Sequence, residues 1–288
     1  MSWHFTEDHD TFRDAVGACL AADPARHTAM LTALELPGLP AGPRGWWTDP
    51  ADGQVAGAVL VAPVKVPLLA GMPAGAARAL AAEWPGRAGE VSAVRGESEA
   101  VEEFARATGR AFTVTRRMRL FRLGELTPQE PAPRGAARTA GMAGTTGTPG
   151  ASGTAGEADD LARALAWMRE YARDIGEDPD ADYRANVEGR IDDGRLWFWA
   201  AEDGEPVAMA SMSPVIAGQA RVSLVYTPPA HRGRGYGGAV TGAVTRAALD
   251  AGAAQVLLFT DLANPTSNAL YQRLGYRPVR DHTAVAFG

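Results

Sequence analysis

The chain is poor in the residues that build covalent or metal-bound frameworks. It holds one cysteine, Cys19, in 288 residues, so neither an intrachain disulfide nor a thiolate metal cluster is possible. Lysine occurs once, at Lys65, and the formal charge is −6, which leaves no basic surplus to hold a nucleic-acid backbone. Long apolar runs are missing too. The stretch at 55–64 is broken by Gly and Pro and falls short of the ~20 residues that cross a bilayer, so no membrane partner is expected. The first twelve residues are polar and acidic rather than a charged head before an apolar core, and the expected location is the cytoplasm. The histidines lack ligand spacing: His4 and His9 cannot share a helical face, His231 falls in a loop, and no metal site is expected.

What is present is a globular composition of 46% hydrophobic and 22% charged residues with seven Trp. The length is about twice that of one common domain, which predicts two. A Pro-bearing stretch at 127–133 places the boundary near residue 130, giving domains 1–130 and 131–288. The Gly, Ala, Thr, Ser and Pro run at 140–156 has no apolar period and reads as a flexible loop inserted after a first strand at 134–139.

An internal repeat organises the rest. Trp46, Asp52, Gly53, Pro63 and Val64 recur 151 residues later as Trp197, Asp203, Gly204, Pro214 and Val215, each block reading as two strands around an Asp-Gly turn. A strand–helix–strand pattern at 91–123 recurs at 257–287, with Gly109 and Gly275 ending the two helices at an offset of 166. The first half therefore lacks about 15 residues between its hairpin and its last helix. In the second half, apolar spacing predicts helices at 158–175 and 179–191. Strands follow near 196–201, 206–213 and 220–227, then a helix at 237–251, a strand at 255–260, a helix at 265–274 and a last strand. This order describes an α/β (α+β) chain of two tandem domains, each a mixed, mostly antiparallel sheet flanked by helices.

The extra residues of the second half contain its chemistry. A strand ending at Thr227 meets Pro228 and Pro229, and then Gly233, Gly235, Gly237 and Gly238 open a helix. Glycines at this spacing let consecutive N–H groups converge on one anion, the helix dipole adds to them, and Arg232 and Arg234 bring full charge. Gly233, Gly235 and Gly238 also satisfy the dinucleotide pattern G-x-G-x-x-G, with Asp261 at the end of the next strand, which would make the protein an oxidoreductase. Only 27 residues follow Asp261, too few for the further strand and helix units of that fold.

Arg232-x-x-Gly235-x-Gly237 resembles the acetyl-CoA signature of the GCN5-related N-acetyltransferase superfamily. The flanking strands and the segment from Asn264 through Tyr271 to Tyr276 are similar to that family in the same order, over residues 130–288. The resemblance implies that the backbone at Val225, Tyr226 and Thr227 pairs with the pantetheine arm of acetyl-CoA and that Gly233, Arg234, Gly235, Tyr236, Gly237 and Gly238 surround the pyrophosphate. It further implies that Asn264 contacts the cofactor arm and that Tyr271 protonates the departing thiolate. The side chains of Tyr226 and Tyr236 read as packing and Asn264 before Pro265 equally as a helix cap, while Tyr271 reads first as the thiolate's acid, with a core aromatic as the alternative. The implied reaction is acetyl transfer to a primary amine of a small molecule or peptide. The strand at 220–227 carries Arg221 and Ser223 where many members have a glutamate base, so a non-catalytic acyl-CoA-binding regulator is the rival. Asp261, Glu202 and Asp203 are the other carboxylates in view. In the first half the matching interval at 65–80 has Gly71 and Gly75 but no Arg-x-x-Gly-x-Gly, and Ser98 and Ala105 stand where the second half has Asn264 and Tyr271. It reads as a degenerate copy.

Overall fold

The computed structural model describes residues 2–35, 42–61, 66–141 and 154–288. Pro63, Val64 and most of the low-complexity run lie outside these residues. The first half contains β1 (Ser2–Thr6), α1 (His9–Ala22), α2 (Thr28–Leu34), β2 (Arg44–Thr48), β3 (Val55–Val61) and β4 (Pro67–Leu69). It continues with α3 (Ala74–Glu83), α4 (Pro85–Ala88), β5 (Ala93–Glu97), α5 (Ser98–Ala107) and β6 (Phe112–Leu123). The second contains β7 (Ala136–Thr139), α6 (Thr154–Asp174), α7 (Arg184–Asp192), β8 (Leu196–Ala200), β9 (Pro206–Met212) and β10 (Gln219–Tyr226). A short 3₁₀ turn, Pro229–His231, leads to α8 (Tyr236–Asp250), β11 (Gln255–Asp261), α9 (Pro265–Arg273) and β12 (Tyr276–Phe287). Apart from α4 and the 3₁₀ turn, the two halves follow one element order, as the repeat predicts.

Local chemistry accounts for the matches. Gly53 and Gly204 take φ of +72° and +86°, the left-handed geometry that lets each Asp-Gly pair reverse its hairpin. Asp52 and Asp203 accept the backbone N–H two residues on, at 2.9 and 3.1 Å. Two boundaries differ from expectation. Helix α6 begins at Thr154, inside the segment read as loop, and α7 begins at Arg184 rather than near 179. There Asp178 and Asp182 accept the N–H groups of Asp180 and Arg184, both at 2.9 Å, and these Asx turns compete with helix.

All the strands join one twelve-stranded sheet in the order β1-β2-β3-β4-β5-β12-β6-β11-β10-β9-β8-β7. The last strands of the halves are exchanged: β12 lies between β5 and β6, and β6 lies between β12 and β11. They pair antiparallel from Tyr276↔Leu123 to Phe287↔Phe112. After Asp261 the chain adds one helix and one antiparallel strand, not the parallel units of a dinucleotide-binding fold. Around the second half, Val222, Leu258 and Tyr276 pack with Val244 of α8, while Phe198, Met209 and Leu224 pack with Trp167 of α6. Among the described residues no helix is long and apolar enough to cross a membrane, and no group of three His, Cys, Asp or Glu is placed to hold a metal ion.

Two buried imidazoles sit where the halves meet. His27, 5% exposed, and His282, 9% exposed, each keep one ring nitrogen without a hydrogen-bond partner. Burial holds both pKa values down, to about 4, with Arg26 adding to the effect at His27; at His282, Glu97 opposes it and Arg280 adds to it. The native state thus binds fewer protons than the unfolded chain between pH 6.5 and about 4, so stability present above pH 6.5 is lost as pH falls through that window. We expect about 2 kcal/mol lost per imidazole between pH 7 and pH 5. Urea unfolding of wild type and of the His27→Gln/His282→Phe double variant at both pH values measures it, and an unchanged pH difference in the variant rules it out.

Candidate active site

The site forms where β10 leaves β11. Their parallel pairing stops at Val222↔Leu258, although β10 runs on to Tyr226. Against β9, the register jumps from Ser223↔Ser211 to Tyr226↔Met209, with Leu224 at φ +52° forming the bulge. A leucine in the left-handed region is costly by about 1–3 kcal/mol, and the surrounding packing maintains it. The bulge turns Leu224 and Tyr226 into the core beneath α6 while Val225 packs on the α8 side. Val225 and Leu224 are left without partners in the register of either neighbouring strand, which makes this segment an open edge.

The glycine loop closes one end of the gap. Gly233 and Gly235 take φ of +76° and +84°, and Gly235 caps α8 with no side-chain cap. The first intrahelical bond runs from the Ala239 N–H to the Gly235 carbonyl at 3.1 Å, so the N–H groups of Tyr236, Gly237 and Gly238 are not used within the helix. A Cβ at Gly237 would lie 3.3 Å from Thr227 Oγ1, and one at Gly238 would lie 3.0 Å from Leu270 Cδ1 and collide with the Gln129 amide. Gln129 lies over the loop with its Oε1 buried and unpartnered, an orphaned polar atom beside three free donors. A cradle this tight, lined by backbone N–H, suits an anion such as a pyrophosphate.

The two arginines separate. Arg232 donates from Nε to the Thr227 carbonyl at 2.9 Å and from Nη2 to Asp174 at 2.5 Å, bracing the end of β10 against α6. Arg234 is exposed and has no ion pair among the described residues. Tyr226 donates its hydroxyl to Glu170 at 2.6 Å. Asn264 caps α9, its side chain accepting the Ser267 N–H at 3.0 Å, and is exposed. Tyr271 projects from α9 into the core, 7% exposed, with its ring 6.2 Å from that of Tyr276. Burial, then the neighbouring Tyr171 and Tyr276 phenols, hold it well above the usual phenol range, so it stays protonated. Of the other carboxylates, Glu202 pairs with Arg134 at 3.3 Å, Asp203 holds its turn, and Asp261 accepts the Ala263 N–H at 2.7 Å.

Sequence reasoning missed the opposite face. Ser211 and Ser223 point toward α7, where Arg190 Nη1 donates to both hydroxyls at 2.7 and 3.2 Å. Arg221 reaches the Thr28 carbonyl at 3.3 Å with its guanidinium 5.8 Å from the Phe259 ring. Arg95 and Arg116 both pair across Ala284 of β12 and so share one face. An arginine set in an apolar strand, as Arg221 is, was the one local signal of this cluster.

A mixed sheet whose strands β10 and β11 part beside a glycine-rich helix start, in a chain whose element order occurs twice, is the architecture that the resemblance to the GCN5-related N-acetyltransferases implies. The match to known proteins agrees. Residues 161–276 match the model of the Acetyltransferase (GNAT) family. Mycothiol acetyltransferase from Beutenbergia cavernae is 28% identical over 129 residues, 42% of this chain and 43% of that protein, so the match spans under half the relative's length. The GCN5-related N-acetyltransferase from Sphaerobacter thermophilus aligns with a TM-score of 0.62 at 17% identity, over 98% of this chain and 94% of that one. A tandem GNAT protein from the clavulanic acid biosynthesis pathway aligns with a TM-score of 0.56 at 12% identity, over 99% and 98%.

Proposed function

We propose that the protein transfers an acetyl group from acetyl-CoA directly to a primary amine of a small molecule or peptide, using the second half of the chain, with a division near residue 130. The observation that carries this is the coincidence of the open β10 edge with the free N–H groups of α8. In this reading the pyrophosphate rests on the N–H groups from Gly233 to Gly238, with Arg234 beside them. The amide-bearing arm lies along Val225 to Thr227. The amine nitrogen forms a bond to the thioester carbon, and a backbone N–H at Val225 or Tyr226 holds the oxyanion. The C–S bond then breaks, sulfur takes the Tyr271 proton, and the excess proton on nitrogen returns through solvent to the phenol.

The first half supports the fold rather than the reaction in this proposal. Where α3 begins, Gly71 faces Arg26 and Glu97, and Glu97, 2% exposed, is paired with Arg26 at 2.8 Å and with Arg280. A buried carboxylate at that position opposes a phosphate, and Pro73 at the N-cap of α3 contributes no N–H.

Tyr271→Phe is the test of the chemical step. We expect kcat to fall at least about tenfold, ~1.4 kcal/mol in barrier, with acetyl-CoA affinity nearly intact. Free CoA released from acetyl-CoA with a panel of amines is the readout. An unchanged kcat would return Tyr271 to packing, and cofactor binding without CoA release from any amine would favour a non-catalytic acyl-CoA-binding regulator.

A further inference from the structure

We infer that the acceptor amine carries an anionic group, a carboxylate or a phosphate, bound by the guanidinium cluster of Arg95, Arg190 and Arg221 on the sheet face opposite α8. This rests on the acetyl-transfer reading above and names the acceptor's class. The three arginines come from β5, α7 and β10, and Arg190 and Arg95 are the charges that act on Arg221. Arg190 is anchored beside it by the hydroxyls of Ser211 and Ser223. Arg221 extends from the same strand across Phe259. Arg95 shares a face with Arg116, whose charge is met by Glu177 at 3.2 Å.

None of Arg95, Arg190 and Arg221 forms an ion pair with any described residue. Arg95 makes no hydrogen bond either, and its Nε is buried without a partner. Guanidinium groups that lose hydration and repel one another oppose folding, and the carboxylate that acts on Arg95, Glu177, is already paired with Arg116. Burial, then its guanidinium neighbours, depress Arg221, to about 10, with Arg190 and Arg95 the charges responsible. Arg190 is likewise pushed down to about 10 by burial and by Arg195. No carboxylate among the described residues meets Arg190 or Arg221, and that counter-charge is left to a ligand.

The same charges bear on the missing base. An ammonium drawn beside guanidinium groups is disfavoured against the free amine, so the cluster lowers the acceptor's pKa while pairing with its anion. The nitrogen reaches the thioester with its lone pair free, and no glutamate on β10 is required.

The experiment uses amines matched except for the anion: β-alanine against its amide, and phosphoethanolamine against ethanolamine, at saturating acetyl-CoA. We expect kcat/KM about tenfold or more higher for an anionic member, through KM, and the better pair tells carboxylate from phosphate. Arg95→Gln and Arg190→Gln should shrink that gap to under about threefold while leaving the acetyl-CoA Kd unchanged. Arg95→Gln should also melt at or above the wild-type temperature, because it removes an unpaired charge; an arginine that only supported the fold would lower it. Equal rates for both members of each pair, or a gap that survives in both variants, would overturn the inference. If no amine is acetylated, the acetyl-transfer reading fails separately. Calorimetric titration of the CoA-saturated protein with succinate and with inorganic phosphate then decides: binding that Arg95→Gln and Arg190→Gln abolish supports the anion site, and no binding refutes it.

Discussion

Gly237→Trp is expected to abolish acetyl-CoA binding while leaving the fold intact. Gly237 lies in the first turn of α8 without a positive φ, and a Cβ there meets only Thr227 Oγ1, at 3.3 Å, so the backbone tolerates a side chain. An indole at this position covers the N–H groups of Gly237 and Gly238, the donors unused within the helix. Losing two charge-assisted bonds to a pyrophosphate costs about 3 kcal/mol or more, a hundredfold or greater loss of affinity. Calorimetry measures this together with stoichiometry. Wild type should bind one acetyl-CoA per chain and the variant none, with melting temperatures within a few degrees of each other. A second comparable site, or one that survives the substitution, would mean that the first half is a working cofactor domain and that the loop is not the anchor.

A chain beginning at residue 131 should fail to fold, whereas one beginning at residue 110 should remain soluble and structured. Cutting at 130 removes β6, which pairs with β11 from Leu257↔Arg122 to Asp261↔Met118 and with β12 along its length. It also removes Phe121, fully buried in the core under α8 and α9, and a core phenylalanine by itself contributes about 3–5 kcal/mol. The shorter chain then presents two unpaired strand edges side by side, a template for aggregation. Keeping β6 restores the pairing of β11 and β12 and exposes only the outer edge of β12. Circular dichroism and sedimentation of the two fragments separate the outcomes, and a compact, monomeric 131–288 fragment would show that the exchanged strand is dispensable.

The exchange also marks how far the residues could be read. The repeat at offset 151 and the Asp-Gly hairpins were legible because each is written within about twenty neighbouring residues, and the same is true of α8 and α9. The helix start at α7 was misplaced because Asp178 and Asp182 divert their neighbours' N–H groups, a competition that apolar periodicity does not register. The opening between β10 and β11 depends on Leu224 adopting a conformation that leucine rarely takes, and no local pattern announces it.

By itself, then, the sequence determined the element order, the doubled architecture and the glycine loop, since turn geometry, helical period and backbone freedom at Gly are properties of short segments. Tertiary structure alone decided which strands are neighbours and which arginines meet. Pairing β6 with β12 joins residues some 160 positions apart, and an open strand edge accepts any partner that satisfies its hydrogen bonds, so the choice is made by the packing of both halves at once. The cluster of Arg95, Arg190 and Arg221 follows from that choice, because like charges come together only where the rest of the fold holds them.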